Sequence, residues 1–430
     1  MLKQFMSYLG SNVTPGSANN QLWALIYVFI IFTGVSVAAM AMNWLERKAL
    51  PHFQIRLGPM RVGPHGLLQP IADAIKWMLK EDVIPAEADQ FVFWIAPMIG
   101  LLAAFAVYTV IPFGPSEAVS DMNIGILFML GVSSLGVLGI VVAGWASNSH
   151  YPLISALRSS AQMVSYEVAM ALAVVSAILM TSLNAKGTGT LSMIGIVQAQ
   201  QDQGRWFIFR FFPLGLIAFI IFSIAMIAET NRAPFDMADA ESELTAGYHT
   251  EYSGLRWSLF LLAEYATMIA VSSIAVTLWL GGWMRPFPNF LHAPAWDLIF
   301  SLFPALTFFG LAAIAVLGVV RMPAHSLFRI QRIGLAGFAA VLGLIALLLL
   351  VIAVAGRSAD ASLAARFNQG IGYVYWFVLK VAVFLYLFLW YRATWPRYRF
   401  DQLMKIGWKV MLPISLGVLI VTAIVGVLVP

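Results

Sequence analysis

What most constrains this sequence is a series of apolar runs, each about as long as a lipid bilayer is thick. A helix rises 1.5 Å per residue, so a hydrocarbon core about 30 Å thick takes roughly 20 apolar residues to cross. Ten runs come close to that length: 22–45, 91–111, 124–146, 160–182, 212–229, 257–280, 298–320, 333–355, 372–393 and 410–429. In lipid a helix satisfies its own backbone N–H and C=O groups. The expectation is therefore an all-α integral membrane protein of about ten transmembrane helices. With 61% apolar and only 10% charged residues, there is too little polar surface to coat a soluble globule. The first run is too long for a signal-peptide core and has no basic segment against it, so it is expected to stay as the first span. The connections are too short to hold a soluble domain.

There are no cysteines, which excludes disulfides, iron–sulfur clusters and Cys-ligated metals. All six histidines are expected in connections, so no haem is expected between helices. Any electrons handled here belong to a partner. Lys and Arg favour the cytoplasmic side of a membrane. With the N-terminus outside, the cytoplasmic connections carry 17 of them and the outer segments 7, with Lys380 inside a span. Both termini are then outside. The net charge of +5 reflects this bias and calls for no nucleic acid.

In the first cytoplasmic connection, ERKALPHFQIRLGPMRVGPHGLLQPIADAIKWMLKED, glycines and prolines from Gly58 to Gly66 punctuate a loop. GPMRVGPHG has no preceding strand and no GK[ST] ending, so it reads as a structural turn and not as a phosphate cradle. A helical pattern follows. Gln69, Asp73, Lys76 and Lys80 recur on one face, and Leu68, Ile71, Ile75 and Met78 on the other. Such a helix lies on the membrane surface or docks on a soluble partner.

Ionisable residues at membrane depth are costly and mark candidate sites. Glu46, Glu167, Glu264 and Lys380 are such residues. The largest concentration of charge is AETNRAPFDMADAESEL, which gathers Glu229, Asp236, Asp239, Glu241 and Glu243 around a single arginine, Arg232. Crowded carboxylates raise one another's pKa, and burial raises it further, so such groups can exchange protons near neutral pH. On a helix started by Pro234, the residues Asp236, Asp239 and Glu243 share one face while Glu241 points elsewhere.

Four stretches carry a resemblance: ER with QIRLGPMRVGPHGLLQPIADAIKWMLKE, then GWASNSHYPLISALRSSAQMVSYE, AETNRAPFDMADAESELTAGYHTEYSG and RATWPRYRFDQLMKIGWKVMLP. In this order they resemble the H-subunit family of bacterial NADH-quinone oxidoreductase, whose mitochondrial counterpart is NADH dehydrogenase subunit 1 of respiratory complex I. The resemblance covers 22–285 and 372–430.

It implies an eight-span core with a surface helix in the bacterial inner membrane, between the hydrophilic arm and the membrane arm. It also implies a tunnel through which ubiquinone or menaquinone reaches an iron–sulfur cluster held by another subunit, with no metal, haem or cluster in this chain. The implied partners are the hydrophilic-arm quinone-site subunits, the membrane-arm subunits and the lipid bilayer. By the same resemblance Glu46, Arg47, Arg56 and Arg61 border the tunnel mouth and floor. Arg232, Asp236, Asp239, Glu241 and Glu243 line a loop near its inner end, and Glu229, Glu167 and Glu264 continue an acidic path for proton coupling.

The chain departs from the family pattern in three places. Met60 stands where Asn is usual, Asp239 where Glu is common, and residues 286–371 insert two extra spans. The expected organisation is an outer tail (1–21), a core (22–285), the insertion (286–371) and a C-terminal pair of core helices (372–430).

Quinone reduction consumes two electrons and two protons, so Arg232 suits either a quinone headgroup or a clamp on the acids. Two other readings stay open: the homologous membrane subunit of a hydrogenase-type complex, and a secondary transporter with midplane carboxylates. The second would need two related halves with broken helices, and none is evident.

Overall fold

The computed structural model describes residues 18–115, 119–182, 189–238, 243, 245–286, 294–321, 329–355 and 363–428, and over these it is helical with irregular connections. The helices are α1 (Ala18–Phe53), α2 (Gln69–Leu79), α3 (Gln90–Ala106), α4 (Gly125–Ala146), α5 (His150–Ser182), α6 (Met193–Gln203), α7 (Leu214–Glu229) and α8 (Gly254–Trp279). They continue with α9 (Pro294–Arg321), α10 (Arg329–Ala355), α11 (Leu363–Thr394), α12 (Phe400–Lys405) and α13 (Leu412–Leu428). A π-helical turn, Ile406–Met411, joins the last two.

Each apolar run of the sequence falls on one of these helices. Among the described residues nine are long and apolar enough to cross a membrane. The tenth, α7, has 16 residues and spans about 24 Å, short of the hydrocarbon thickness. Its last turn, 225–229, is fully buried against other helices. The backbone can therefore leave helical geometry at that depth without facing lipid.

Several details depart from the sequence reading. Helix α1 begins at Ala18, inside the segment expected as an outer tail, and α11 runs through the 371/372 boundary. Two histidines are not in connections: His52 lies in the last turn of α1 and His150 opens α5. The turn reading of the first loop holds. Gly63, His65 and Gly66 all take positive φ, and a Cβ at Gly66 would lie 2.4 Å from the Pro59 carbonyl, so the turn needs glycine there.

Helix α2 lies along α1 and α8 with Ile71, Ile75 and Met78 exposed. On its polar face Asp73 turns inward, while Lys76 and Lys80 are exposed. Asp73 is buried, receives a hydrogen bond from Gln69, pairs with Lys76 at 3.2 Å, and reaches Arg47 of α1 at 2.5 Å.

Lys380 serves the far end of the molecule. Its ammonium donates to the carbonyls of Leu280 (2.7 Å), Gly282 (2.9 Å) and Met284 (2.7 Å), just past the C-terminus of α8, where helix carbonyls lack partners. Gln200 of α6 does the same for Thr277 and Leu278. Glu264 sits about 22 Å away along α8, so Lys380 does not join the acidic path.

The C-terminal end of α11 meets that of α1, because Arg392 reaches Glu46. The two helices therefore run in the same sense, as the odd number of spans between them, seven, requires. We predict that a single cysteine at Ser326, which lies outside the described residues, is labelled only from the cytoplasmic side. A cysteine at Ser7 should be labelled only from the outer side. Labelling of residue 326 from outside would overturn this topology.

Candidate functional site: a buried ion cluster at the ends of α1, α7, α8 and α11

Glu46 and Arg232 meet in the interior with 6% and 8% of their surface exposed. Arg232 Nη1 donates to both carboxylate oxygens of Glu46 at 3.2 and 3.3 Å. The Tyr265 hydroxyl donates to Glu46 Oε2 at 2.7 Å, and Arg392 binds Oε1 from α11. The Arg232 guanidinium also lies 4.4 Å from the centre of the Tyr265 ring, a cation–π contact. Burial alone would weaken the hold of Arg232 on its proton, but the carboxylates of Glu46 and Glu264 outweigh it and raise its pKa. It stays charged at any working pH.

Arg232 is shared unequally between two acids. It is hydrogen-bonded to Glu46, whereas its Nη2 stands 3.8 Å from Glu264 and makes no hydrogen bond. Glu264 is also 3.6 Å from His249 Nε2. A small rotation of the guanidinium would exchange one carboxylate for the other.

Beyond Glu264 a cavity runs between α3, α4, α5, α7 and α8. Its wall is apolar on the side of Val107, Met170 and Phe222. Glu264, Thr267, Ser133, Asn231 and Glu229 supply the polar groups. Glu229 is buried, with Oε2 unpaired, and feels the charge of half-buried Glu167. The order of ionisable groups is thus Glu46, Arg232, half-buried Glu264, the cavity, Glu229 and half-buried Glu167.

No helix starts at Pro234, although Glu243 is itself helical. Residues 230–238 form turns, with Asp236 half-buried in irregular backbone, while Asp239 and Glu241 lie outside the described residues. The reason is that polar side chains of α5 capture the loop backbone more effectively than a helix would. Gln162, fully buried, donates to the carbonyls of Ala228 (2.9 Å) and Phe235 (2.8 Å). Ser159 donates to Asn231 Oδ1 (3.1 Å), Ser155 to the Ala238 carbonyl (3.2 Å), and the Tyr398 amide to the Pro234 carbonyl (3.2 Å).

The expectation of mutually raised carboxylate pKa values fails at Glu243. Its oxygens face Arg158 at 2.6 Å and Arg397 at 4.0 Å, and the hydrogen bond from Arg158 pulls its pKa below the ordinary value. Of the expected tunnel-mouth residues, Glu46 is sealed in the ion cluster and Arg47 is tied to Asp73. Arg56 and Arg61 are exposed, Arg56 donating to Gln54 at 2.7 Å.

Over residues 25–423 the sequence matches the profile of a family described as NADH dehydrogenase. It is 64% identical over 427 residues to the first H-type subunit of the NADH-quinone oxidoreductase of Koribacter versatilis (strain Ellin345), covering 99% of this chain and 97% of the relative. It is 44% identical over 406 residues to the second H-type subunit of the NADH-quinone oxidoreductase of Solibacter usitatus (strain Ellin6076), covering 94% and 96%. The chain belongs to the H-subunit family of NADH-quinone oxidoreductases. The family stretches quoted from the sequence are the ones that meet in the fold. The α1 end, the start of α5, the loop after α7 and the α11–α12 junction supply Glu46, Gln162, Arg232 and Arg392.

The sequence reading missed Tyr265, Arg392, Arg158 and Asp73. Tyr265 had a signal, standing beside Glu264 in a span, whereas Arg392 at a helix end looks like an ordinary interfacial anchor.

Removing one partner of a buried ion pair typically costs about 3–5 kcal/mol. We predict that Glu46→Gln lowers the thermal stability of the purified protein by that order. Tyr265→Phe, which keeps the ring beneath Arg232, should cost about 1–2 kcal/mol. Differential scanning fluorimetry in detergent would compare them, and equal small effects would contradict the buried pair. A second prediction follows from Glu243. Because pairing lowers its pKa, its tie to Arg158 is intact above the ordinary value of 4.5 and is lost as pH falls through the lower folded value. A spin label at Ala246 should therefore become mobile only below that pH, and should be mobile at every pH in Glu243→Gln.

Proposed function

We propose that this chain is the membrane subunit of a proton-pumping NADH-quinone oxidoreductase that forms the quinone-binding chamber and couples quinone reduction to proton translocation. The observation that carries the reading is the series of buried and half-buried ionisable groups from Glu46 to Glu167, interrupted by the cavity between Glu264 and Glu229. Charge at one end of such a series changes proton affinity along it, because electrostatic interactions strengthen where water is excluded.

Ubiquinone or menaquinone is the substrate on this reading. It accepts two electrons from an iron–sulfur cluster in a hydrophilic-arm subunit and two protons, and passes through short-lived anionic forms. An anion near Arg232 competes with Glu46 and Glu264 for the guanidinium. As Arg232 moves toward the new charge, Glu264 loses part of its stabilisation. The cavity then provides a wettable route to Glu229 and Glu167, from which the membrane-arm subunits take over. Asp236, Asp239, Glu241 and Glu243 sit beside the first step, with Glu243 anchoring the loop through Arg158. Arg47, Arg56 and Arg61 border the mouth where the quinone headgroup arrives. The chain lies in a bacterial inner membrane with both termini outside. The similarity to H subunits of NADH-quinone oxidoreductases favours a quinone acceptor over a hydrogenase-type role.

Two tests follow. Arg61→Ala or Arg47→Ala should lower quinone reduction while electron transfer from NADH to a hydrophilic artificial acceptor survives. Equal loss of both in assembled complexes would point to a general structural defect. Asp236→Asn and Glu241→Gln should depress quinone reduction and the proton gradient together in vesicles, with Asp239→Asn milder and Asp239→Glu nearly silent. Wild-type rate and pumping in both neutral variants would make the acidic stretch a solvated loop.

A further inference from the structure

The helix pair α9 and α10 has no part in the series of ionisable groups, yet it is not simply appended to the bundle. Helix α9 packs on α11 through Phe300 and Phe303, which meet Trp376 with ring centres 5.6 and 5.4 Å apart. The pair is tight at its turn end, where a Cβ at Gly318 would lie 3.0 Å from Leu335. Much of the rest faces outward, with Leu344, Leu348 and Val351 exposed.

Its second anchorage is the loop from Gly58 to Gly66. The Gln331 side-chain amide in the first turn of α10 donates to the Met60 carbonyl at 2.8 Å. One turn on, Gly334 is pressed against Pro64 so closely that a Cβ would lie 2.5 Å from the proline Cγ. From the opposite side Lys48 of α1 donates to the neighbouring carbonyl, that of Pro59, and touches the Met60 sulfur. Consecutive carbonyls of one loop are thus held by side chains from two different helices. Within the loop the Leu68 amide donates to the Val62 carbonyl at 3.3 Å. Trp44 donates to the His65 carbonyl at a long 3.4 Å, and the exposed arginines Arg56 and Arg61 flank the turn. Residue 60 is also where the sequence departs from the expected Asn. An Asn side chain can tie a turn to its own backbone. A thioether is a weak acceptor and donates nothing, so the tie must come from elsewhere.

We propose that α9 and α10 form a brace for the first cytoplasmic loop. Gln331 is a positioning residue that holds the Met60 backbone, and Gly334 is the seat for Pro64, so that together they set the shape of the mouth through which a quinone passes. This rests on the reading of that loop as the quinone mouth. Gln331 touches no substrate and acts through the loop.

The test has two arms, both in the assembled complex and both using the natural absence of cysteine from this chain. In the first, the pair Pro64→Cys and Gly334→Cys is treated with a mild oxidant. A reducible cross-link within the chain is expected, because the two Cβ positions lie within a small shift of disulfide range. No cross-link, in a variant that assembles and keeps NADH oxidation by a hydrophilic acceptor, would overturn the brace.

In the second arm, quinone reduction is followed with a short-tailed benzoquinone. Gln331→Ala should raise KM about fivefold, the effect of losing one neutral hydrogen bond, with kcat within about twofold. Gln331→Lys, which can still donate to the carbonyl, should restore KM. Gly334→Leu, which wedges the helix off Pro64, should raise KM further. Unchanged KM in the Gln331 and Gly334 variants, alongside a raised KM in Arg61→Ala, would overturn the brace and leave the mouth reading intact. Unchanged KM in all of them would overturn both.

Discussion

The fold is organised around a buried arginine that cannot lose its charge. Arg232 follows directly on α7, and once it is enclosed the surrounding helices must bring carboxylates to it, because an unpaired charge in the interior costs several kcal/mol. Glu46 comes from α1, Glu264 and the Tyr265 ring from α8, and Arg392 from α11 closes the cluster on Glu46. Four chain segments far apart in sequence are thereby fixed at one end of the bundle. Arg232 is hydrogen-bonded to Glu46 while its Nη2, without a hydrogen bond, stands 3.8 Å from Glu264.

Around the cluster, irregular backbone is held by side chains and not by helical geometry. Helix α5 extends about 50 Å, well beyond a bilayer core, and its first turns carry Ser155, Arg158, Ser159 and Gln162 into the loop after α7. The loop can then sit close to the ion cluster with its carbonyls satisfied, although it has no regular structure of its own. The same economy operates at the opposite end of α8, where Lys380 and Gln200 satisfy terminal carbonyls, and at the first loop, where Lys48 and Gln331 do so.

The spans were legible from hydropathy because lipid imposes one length and one periodic backbone on any segment that crosses it. The two faces of α2 and the turn at Gly58 to Gly66 were legible from spacing and glycine placement, but the burial of Asp73 was not. The clustered carboxylates marked the loop after α7, but the start of the helix expected at Pro234 is absent. Gln162, some 70 residues earlier in the sequence, satisfies the backbone there instead. Arg158 and Arg392 were invisible for the same reason, since which cation meets which carboxylate depends on packing between helices. The pairing of Glu243 with Arg158 reverses the pKa expected from its acidic neighbours in sequence.

The central claim is that a charge change at the quinone alters protonation of carboxylates within this chain. Infrared difference spectra of the assembled complex, oxidised minus quinol-reduced, report that directly through the carboxyl C=O stretch. The account predicts a carboxyl band that is lost or shifted in Glu229→Gln and again in Glu264→Gln, with NADH oxidation by a hydrophilic acceptor unchanged. A difference spectrum identical to wild type in both variants would contradict it.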